Sequence, residues 1–395
     1  MHVAINALSA RASAGMTYLS SLLPALAAAE SGHRYTVIFS SDQLELRASI
    51  PHEFETHTIR RPALGLFQRV LWEQLRLPAV LAKIHADVLF SPGNVTSLLV
   101  RCPVVLVCQN ANSFSSLRIP WSLKFRMKNY MNRYLGRWSA SKAAKVVFVS
   151  ETSRRLMLPG LAIPREKTGV VYHGAPAVAP RSAEPIAFQV DGRFVLTVAV
   201  VHPHKNLITL VRAFRGVVAA GYEGRLFIAG DILSEGYARD LREEVNACGL
   251  GKRVSLLGRV SYPDVLKLYS CADALVMPSI EETFGLPCLE AMAAGTPVVA
   301  SDYLGSVTRS DLFLPFREVC GDAAEYFDPL DDRDMCATIL RALKPGRAAE
   351  LRNAGFERAQ NYKWSDAAAT LVQLFEAAAG SAVSASTRLD GPGKG

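Results

Sequence analysis

The chain of 395 residues has no Cys-x-x-Cys pair among its seven cysteines, which stand at 102, 108, 248, 271, 288, 320 and 336. An odd number without paired spacing argues against a disulfide frame or a zinc site and for reduced thiols in the cytosol. Long apolar runs are missing too. The best stretch, 95–108, is broken by Arg101 and Pro103 and is too short to span a bilayer. The opening Met1-His2-Val3-Ala4-Ile5-Asn6 lacks a basic n-region and passes straight into a strand-like run, so no signal peptide is expected. A soluble or peripheral cytoplasmic protein follows. No repeat of solenoid period and no RNA-type motif is found. No acidic residue stands between Asp87 and Glu151, where there are nine Lys and Arg. Charge is therefore lopsided: residues 1–190 carry a balance of +12 and the remainder −4, within a net +8.

What the acid-free stretch does contain is a run of aromatics. Trp121, Phe125, Met127, Tyr130, Met131, Tyr134, Leu135 and Trp138 alternate with Lys124, Arg126, Lys128, Arg133 and Arg137. A helix over 121–139 would carry an apolar stripe flanked by cations, which suits an anionic membrane surface. The segment 118–145 is the expected contact; a helix packed on its own domain with a solvated basic face is the plain alternative. Nucleic acid is not an expected partner, since a basic patch without a binding motif names no ligand.

Half of the residues are hydrophobic and the chain is too long for one core, so two domains are expected. Strand-like and helix-like segments alternate through both halves. In the first half strands are expected at 2–8, 35–40, 88–91, 104–108, 145–150 and 168–173, with helices at 19–29 and 64–84 and a loop at 13–18. In the second half, strands are expected at 194–200, 225–229, 254–257 and 274–278, with helices at 207–219, 263–270, 344–360 and 364–379. Such alternation predicts βαβ units and parallel sheets. The boundaries follow as domain 1–175, linker 176–191, domain 192–361, a terminal helix 362–379 and a disordered tail 380–395, small, polar and Gly/Pro-bearing.

The most informative stretch runs from Glu281 to Val299. It sets Glu282 and Glu290 eight positions apart around a glycine turn and Pro287, which suits the first position of a helix. Leu289 to Ala293 favour that helix and Gly295 can close it, with a buried strand over 296–300. Phe284, Gly285 and Leu286 would then offer backbone N–H groups at a helix start, where the dipole favours an anion such as a diphosphate. Glu290 can bond a ribose and Glu282 a sugar hydroxyl. The plain alternative is a loop–helix–strand unit with two solvated glutamates.

This segment resembles the Glu-x7-Glu signature of retaining nucleotide-sugar glycosyltransferases of the GT-B fold, glycosyltransferase family 4 (group 1) type. The match runs from Glu282 through Val298, and weaker likeness covers nearly the whole chain. The resemblance implies an α/β architecture of two doubly wound, Rossmann-like parallel-sheet domains facing a central cleft. The N-terminal domain would bind the acceptor and the C-terminal one the donor, and ligands meet such sheets at the carboxyl ends of their strands. Tyr362-Lys363-Trp364 resembles the start of the family's last helix, which crosses back onto the first domain.

Further roles are implied by position. Lys205, in His202-Pro203-His204-Lys205-Asn206, falls where the family places a diphosphate-binding lysine; Ala199 and Val200 stand where glycine and arginine are often found upstream. Arg259 begins the base-binding loop and can supply the missing charge. Gly15 matches the first glycine-rich loop, with an ordinary turn as its alternative. Gln109 and Asn110 occupy the places of a histidine and its polar partner; glutamine can bond a hydroxyl but cannot take its proton. His173 is read as a boundary residue rather than a base. His202 and His204 have no third ligand nearby, so no metal and no cofactor are expected.

Implied chemistry is sugar transfer with retention, the leaving phosphate acting as base and the protein supplying charge, position and water exclusion. Glu282, Lys205 and Gln109 are the expected catalytic group; Gly15, Arg259, Phe284, Gly285, Leu286 and Glu290 the donor contacts. The implied partners are a nucleotide sugar (GDP-mannose first, UDP-sugars next) and a lipid-linked or glycan acceptor in cell-surface polysaccharide synthesis. Alternatives are a GT-B enzyme on soluble substrates (a disaccharide or glycogen-like synthase, or an epimerase) and a non-catalytic membrane-associated binding protein.

Overall fold

The computed structural model describes residues 1–11, 13–60, 66–114, 123–176, 192–303 and 314–389. The chain forms two compact units. One comprises Met1–Ser115, Leu123–Gly174 and Lys363–Gly395; the other is built on Ala175–Tyr362. Most of the expected linker lies outside the described residues.

In the first unit the chain runs β1 (His2–Asn6), α1 (Ser13–Ala28), β2 (Arg34–Ser40), α2 (Leu44–Ser49), β3 (Glu55–Ile59), α3 (Leu66–Leu75), α4 (Leu77–Lys83) and β4 (Val88–Pro92). It continues with β5 (Val104–Cys108), α5 (Leu123–Lys142), β6 (Lys145–Phe148), α6 (Glu151–Leu161) and β7 (Thr168–Val170). The strands form one sheet in the order β3-β2-β1-β4-β5-β6-β7, every pairing parallel. Central strands such as β1, β4 and β5 are apolar over nearly their whole length because helices cover both faces of a parallel sheet. Ala4, Leu81, Leu89, Leu106, Val146 and Phe148 are packed in its core.

The second unit runs β8 (Phe194–Val198), α7 (Leu207–Ala219), β9 (Arg225–Ala229), α8 (Glu235–Ala247), β10 (Val254–Gly258), α9 (Tyr262–Cys271), β11 (Ala274–Met277) and α10 (Leu286–Ala293). Then come β12 (Val298–Ser301), α11 (Phe316–Cys320), β13 (Ala324–Phe327), α12 (Asp332–Ala342) and α13 (Pro345–Ala359). Its sheet, β10-β9-β8-β11-β12-β13, is also parallel throughout. The last helix, α14 (Trp364–Leu389), belongs to the first unit, where Ala368, Leu371, Phe375 and Ala378 are buried and Phe375 meets Phe90 edge to face at 5.2 Å.

Several expectations are corrected. The single helix expected over 64–84 is two, because Pro78 has no N–H to return to residue 74 and the chain breaks at Arg76. The loop expected at 13–18 is the first turn and a half of α1, which starts at Ser13. The tail expected from 380 begins as helix, since α14 continues to Leu389; alanine at 382 and 385 prolongs a favourable helical run. α2, β3, α6, α8, α11, β13 and α12 carry patterns too short or too polar to stand out beside their neighbours. The edge strand β3, Glu-Thr-His-Thr-Ile, buries only its last residue.

Candidate functional site

The second sheet grows outward from β8 in both directions: β9 and β10 lie to one side, β11 to β13 to the other. The carboxyl ends of β8 and β11 therefore flank the topological switch point, where open α/β sheets hold ligands. Lys205 follows β8 on a short 3-10 turn, Pro203–Lys205, and Asn206 leaves that turn in the left-handed conformation to begin α7. Glu282 follows β11. Lys205 Nζ donates to Glu282 Oε2 at 2.6 Å, with both side chains largely buried. The two loops are tied by their backbones as well, Ile280 N–H donating to the His204 carbonyl at 3.0 Å. His202 and His204 share a hydrogen between their Nδ1 atoms at 2.7 Å inside the same turn. Burial, with the Lys205 cation beside it, pushes the His204 pKa well below the usual histidine range.

Three residues past Glu282 the chain turns into α10. Gly285 caps this helix with φ +85°, and a Cβ there would lie 2.7 Å from Phe316 Cε1. Only glycine meets both demands. Leu286 is the first helical residue and Pro287 the second, one place later than expected, and the first backbone bond runs from Cys288 N–H to the Gly285 carbonyl. The N–H groups of Gly285 and Leu286 thus stand ahead of the helical ladder. Phe284 is buried and meets Tyr362 edge to face at 6.2 Å.

Glu290 sits one turn into α10, buried. Tyr262 OH donates to its Oε1 at 3.0 Å and Tyr269 OH to its Oε2 at 2.9 Å. Burial pushes its carboxyl up to about 7 against the opposing pull of the two hydroxyls. Each oxygen retains acceptor capacity beyond its tyrosine. Neither tyrosine is apparent as a site residue in the sequence, although both belong to a helix whose periodic apolar face includes Val265 and Leu268. The parallel sheet sets Arg259, exposed directly after β10, at the same carboxyl edge as Lys205 and Glu282.

The other expected residues lie in the first unit. Gln109 follows β5, and its N–H and that of Asn110 both donate to Asn94 Oδ1, at 3.0 and 3.1 Å. Gly15 is in the first turn of α1 against Ala10, where a Cβ would lie 3.5 Å from the Ala10 Cα. His173 is buried between Tyr18 and Trp364, stacked on the indole at 5.6 Å, and burial pushes its ring down to about 3. It is a packing residue there. Among the described residues, no group of three or more His, Cys, Asp or Glu side chains is placed to hold a metal ion, and no helix is long and apolar enough to cross a membrane.

α5 turns its small residues inward and its large ones outward. Gly136, Ser139 and Ala140 are buried, Ser139 Oγ accepting from Thr96 N–H at 3.0 Å. Met127, Tyr130, Tyr134 and Trp138 are exposed by 47–66%, among Arg126, Lys128, Arg133 and Arg137, which are exposed too.

Comparison with known proteins agrees with this anatomy. A family model described as "Glycosyltransferase Family 4" matches residues 17–177, and one described as "Glycosyl transferases group 1" matches residues 179–309. The O-antigen chain mannosyltransferase RfbU of Salmonella typhimurium is 30% identical over 208 residues, 52% of this chain and 53% of that protein. The chain spans about half the length of the curated relatives it matches. Among solved structures, a sucrose-phosphate synthase from Thermosynechococcus elongatus superposes with a TM-score of 0.73 at 19% identity, covering 95% of this chain and 98% of that one. Anabaena Alr3699/HepE in complex with UDP and glucose superposes with a TM-score of 0.71 at 18% identity, covering 95% and 99%. The two parallel sheets are those of the GT-B fold, and the chain belongs to the glycosyltransferases of family 4, group 1 type.

Proposed function

We propose that the protein transfers a hexose, mannose first, from a nucleotide-diphosphate sugar to a hydroxyl of a glycan or lipid-linked acceptor, with retention of configuration. The observation that carries this reading is the Lys205–Glu282 pair at the switch point of the second sheet, on the two loops joined by the Ile280–His204 backbone bond. α10 starts just beyond, with N–H groups directed out of its first turn. A diphosphate there meets a cation and a helix N-terminus together, with no metal required. Glu282 holds Lys205 in place and orients a sugar hydroxyl. Glu290 accepts from a ribose hydroxyl beside its tyrosines, and Arg259 adds positive charge at the same sheet edge. The bond from the anomeric carbon to the diphosphate breaks as the acceptor oxygen bonds that carbon. The acceptor proton passes to the departing phosphate oxygen, so neither Gln109 nor the buried His173 need act as a base. Gly15 and Gln109 belong to the acceptor-binding unit.

The named activity of the RfbU relative supports mannose, and HepE with UDP and glucose supports a uridine donor. A donor panel decides between them. The expected result is nucleotide release from one donor class, accelerated by acceptor, and a matching rise in Tm. Lys205→Ala should lower turnover about 100-fold or more, the scale of losing one preorganised charge contact. No nucleotide release and no Tm shift from any nucleotide sugar would leave a non-catalytic binding protein. Peripheral contact with an anionic membrane through 118–145 completes the reading, supported by the outward aromatics and cations of α5.

A further inference from the structure

The first sheet has its own switch point, between β1 and β4, since β2 and β3 lie to one side of β1 and β4 to β7 to the other. α3 lies over it. Gln74 fixes that helix to the segment after β4, its Nε2 donating to the Thr96 carbonyl at 3.2 Å and its Oε1 accepting from Leu98 N–H at 2.8 Å. Next to it Glu73 is 2% exposed. Its Oε1 accepts from Nδ2 of Asn6, the last residue of β1, at 3.1 Å; Asn6 Oδ1 in turn accepts from Leu8 N–H at 3.3 Å. Glu73 Oε2 is buried and has no hydrogen-bond partner among the described residues. One helical turn earlier Arg69 Nε forms a loose ion pair with Glu73 Oε1 at 3.9 Å, and it too is buried and makes no hydrogen bond.

An unmet acceptor and an unmet donor thus sit side by side at a ligand-binding position of the fold. Each is costly to leave without a hydrogen bond, and native proteins rarely tolerate such groups without a reason. A cation would face Arg69, and an anion would face Glu73. A hydroxyl answers both, because it donates one hydrogen and accepts on its lone pairs. We propose that Glu73 and Arg69, at the carboxyl end of β1, grip one hydroxyl of a sugar, that of the acceptor in the transfer described above. The pair itself is independent of that reading; only the name of its ligand, the acceptor, rests on it. Burial also pushes the Glu73 carboxyl above its usual range, which is what a carboxylate short of donors does.

Glu73→Gln and Arg69→Met test this in the full-length protein. Each should raise acceptor KM about tenfold or more, the range for a hydrogen bond to a charged group. kcat, donor KM and the Tm shift produced by nucleotide should stay within about twofold. An acceptor analogue lacking the gripped hydroxyl should show the raised KM with wild type and no further rise with Glu73→Gln. Unchanged acceptor KM in either folded variant overturns the proposal and leaves a water between the two side chains; if Glu73→Gln fails to fold, Arg69→Met decides. Failure of wild type to release nucleotide from any donor would instead refute the transfer reading. The site is then judged by saccharides alone: a millimolar panel should shift the Tm of wild type and not that of Arg69→Met, and no shift of wild type from any saccharide overturns it.

Discussion

Glu290 shows how one residue can be visible in a sequence while its state is not. Its spacing from Glu282 marks it, yet its protonation depends on burial and on Tyr262 and Tyr269, which lie 28 and 21 positions away. With its carboxyl raised from 4.5 to about 7, the folded protein keeps a proton that the unfolded chain has released. Stability must therefore fall as pH rises through that window, by at most about 3 kcal/mol at roughly 1.4 kcal/mol per unit. Urea melts at pH 5 and pH 8 should show this loss in wild type and a smaller one in Glu290→Gln. Parallel pH dependence in the two proteins would refute a buried, proton-holding Glu290. Lys205 and Glu282 were each legible from their motifs. Their pairing was not, because residues 77 apart meet only when β8 and β11 become neighbours.

Among the elements, α10 was the most legible. Its proline, its run of helix formers and its flanking glycines are local signals, and the structure moves its start by a single residue. Gly285→Ala should destabilise the second unit by about 1–3 kcal/mol, because alanine pays for φ +85° and strikes Phe316 as well. It should weaken the nucleotide-induced Tm shift in parallel. Full stability and an undiminished shift would show that the turn can relax. α5 was legible as a basic, aromatic helix, but which face it buries was not. Small residues at 136, 139 and 140 draw that side inward, so the bulky side is left outside. Tyr134→Ala with Trp138→Ala should reduce sedimentation with anionic vesicles severalfold, and binding should weaken as salt rises. Equal sedimentation of variant and wild type would refute the membrane face.

At the level of the entire chain, the last helix completes the first unit rather than the second. Phe375, Leu371 and Ala368 are buried there and Phe375 packs on Phe90 of β4. Ending the chain at Tyr362 should therefore lower the melting temperature of the first unit and make α1 and β4 accessible to protease, since losing one large buried aromatic alone costs about 3–5 kcal/mol. A truncated protein with unaltered melting and digestion would contradict this. Two parallel-sheet units and the short helix after Gly285 could be read from residue order alone, because strand runs, helix periods and turn residues are short-range signals. The partners could not: Glu282 for Lys205, two tyrosines for Glu290, Asn6 for Glu73. Each depends on strand order, and strand order is set by long-range packing that leaves no mark at either residue.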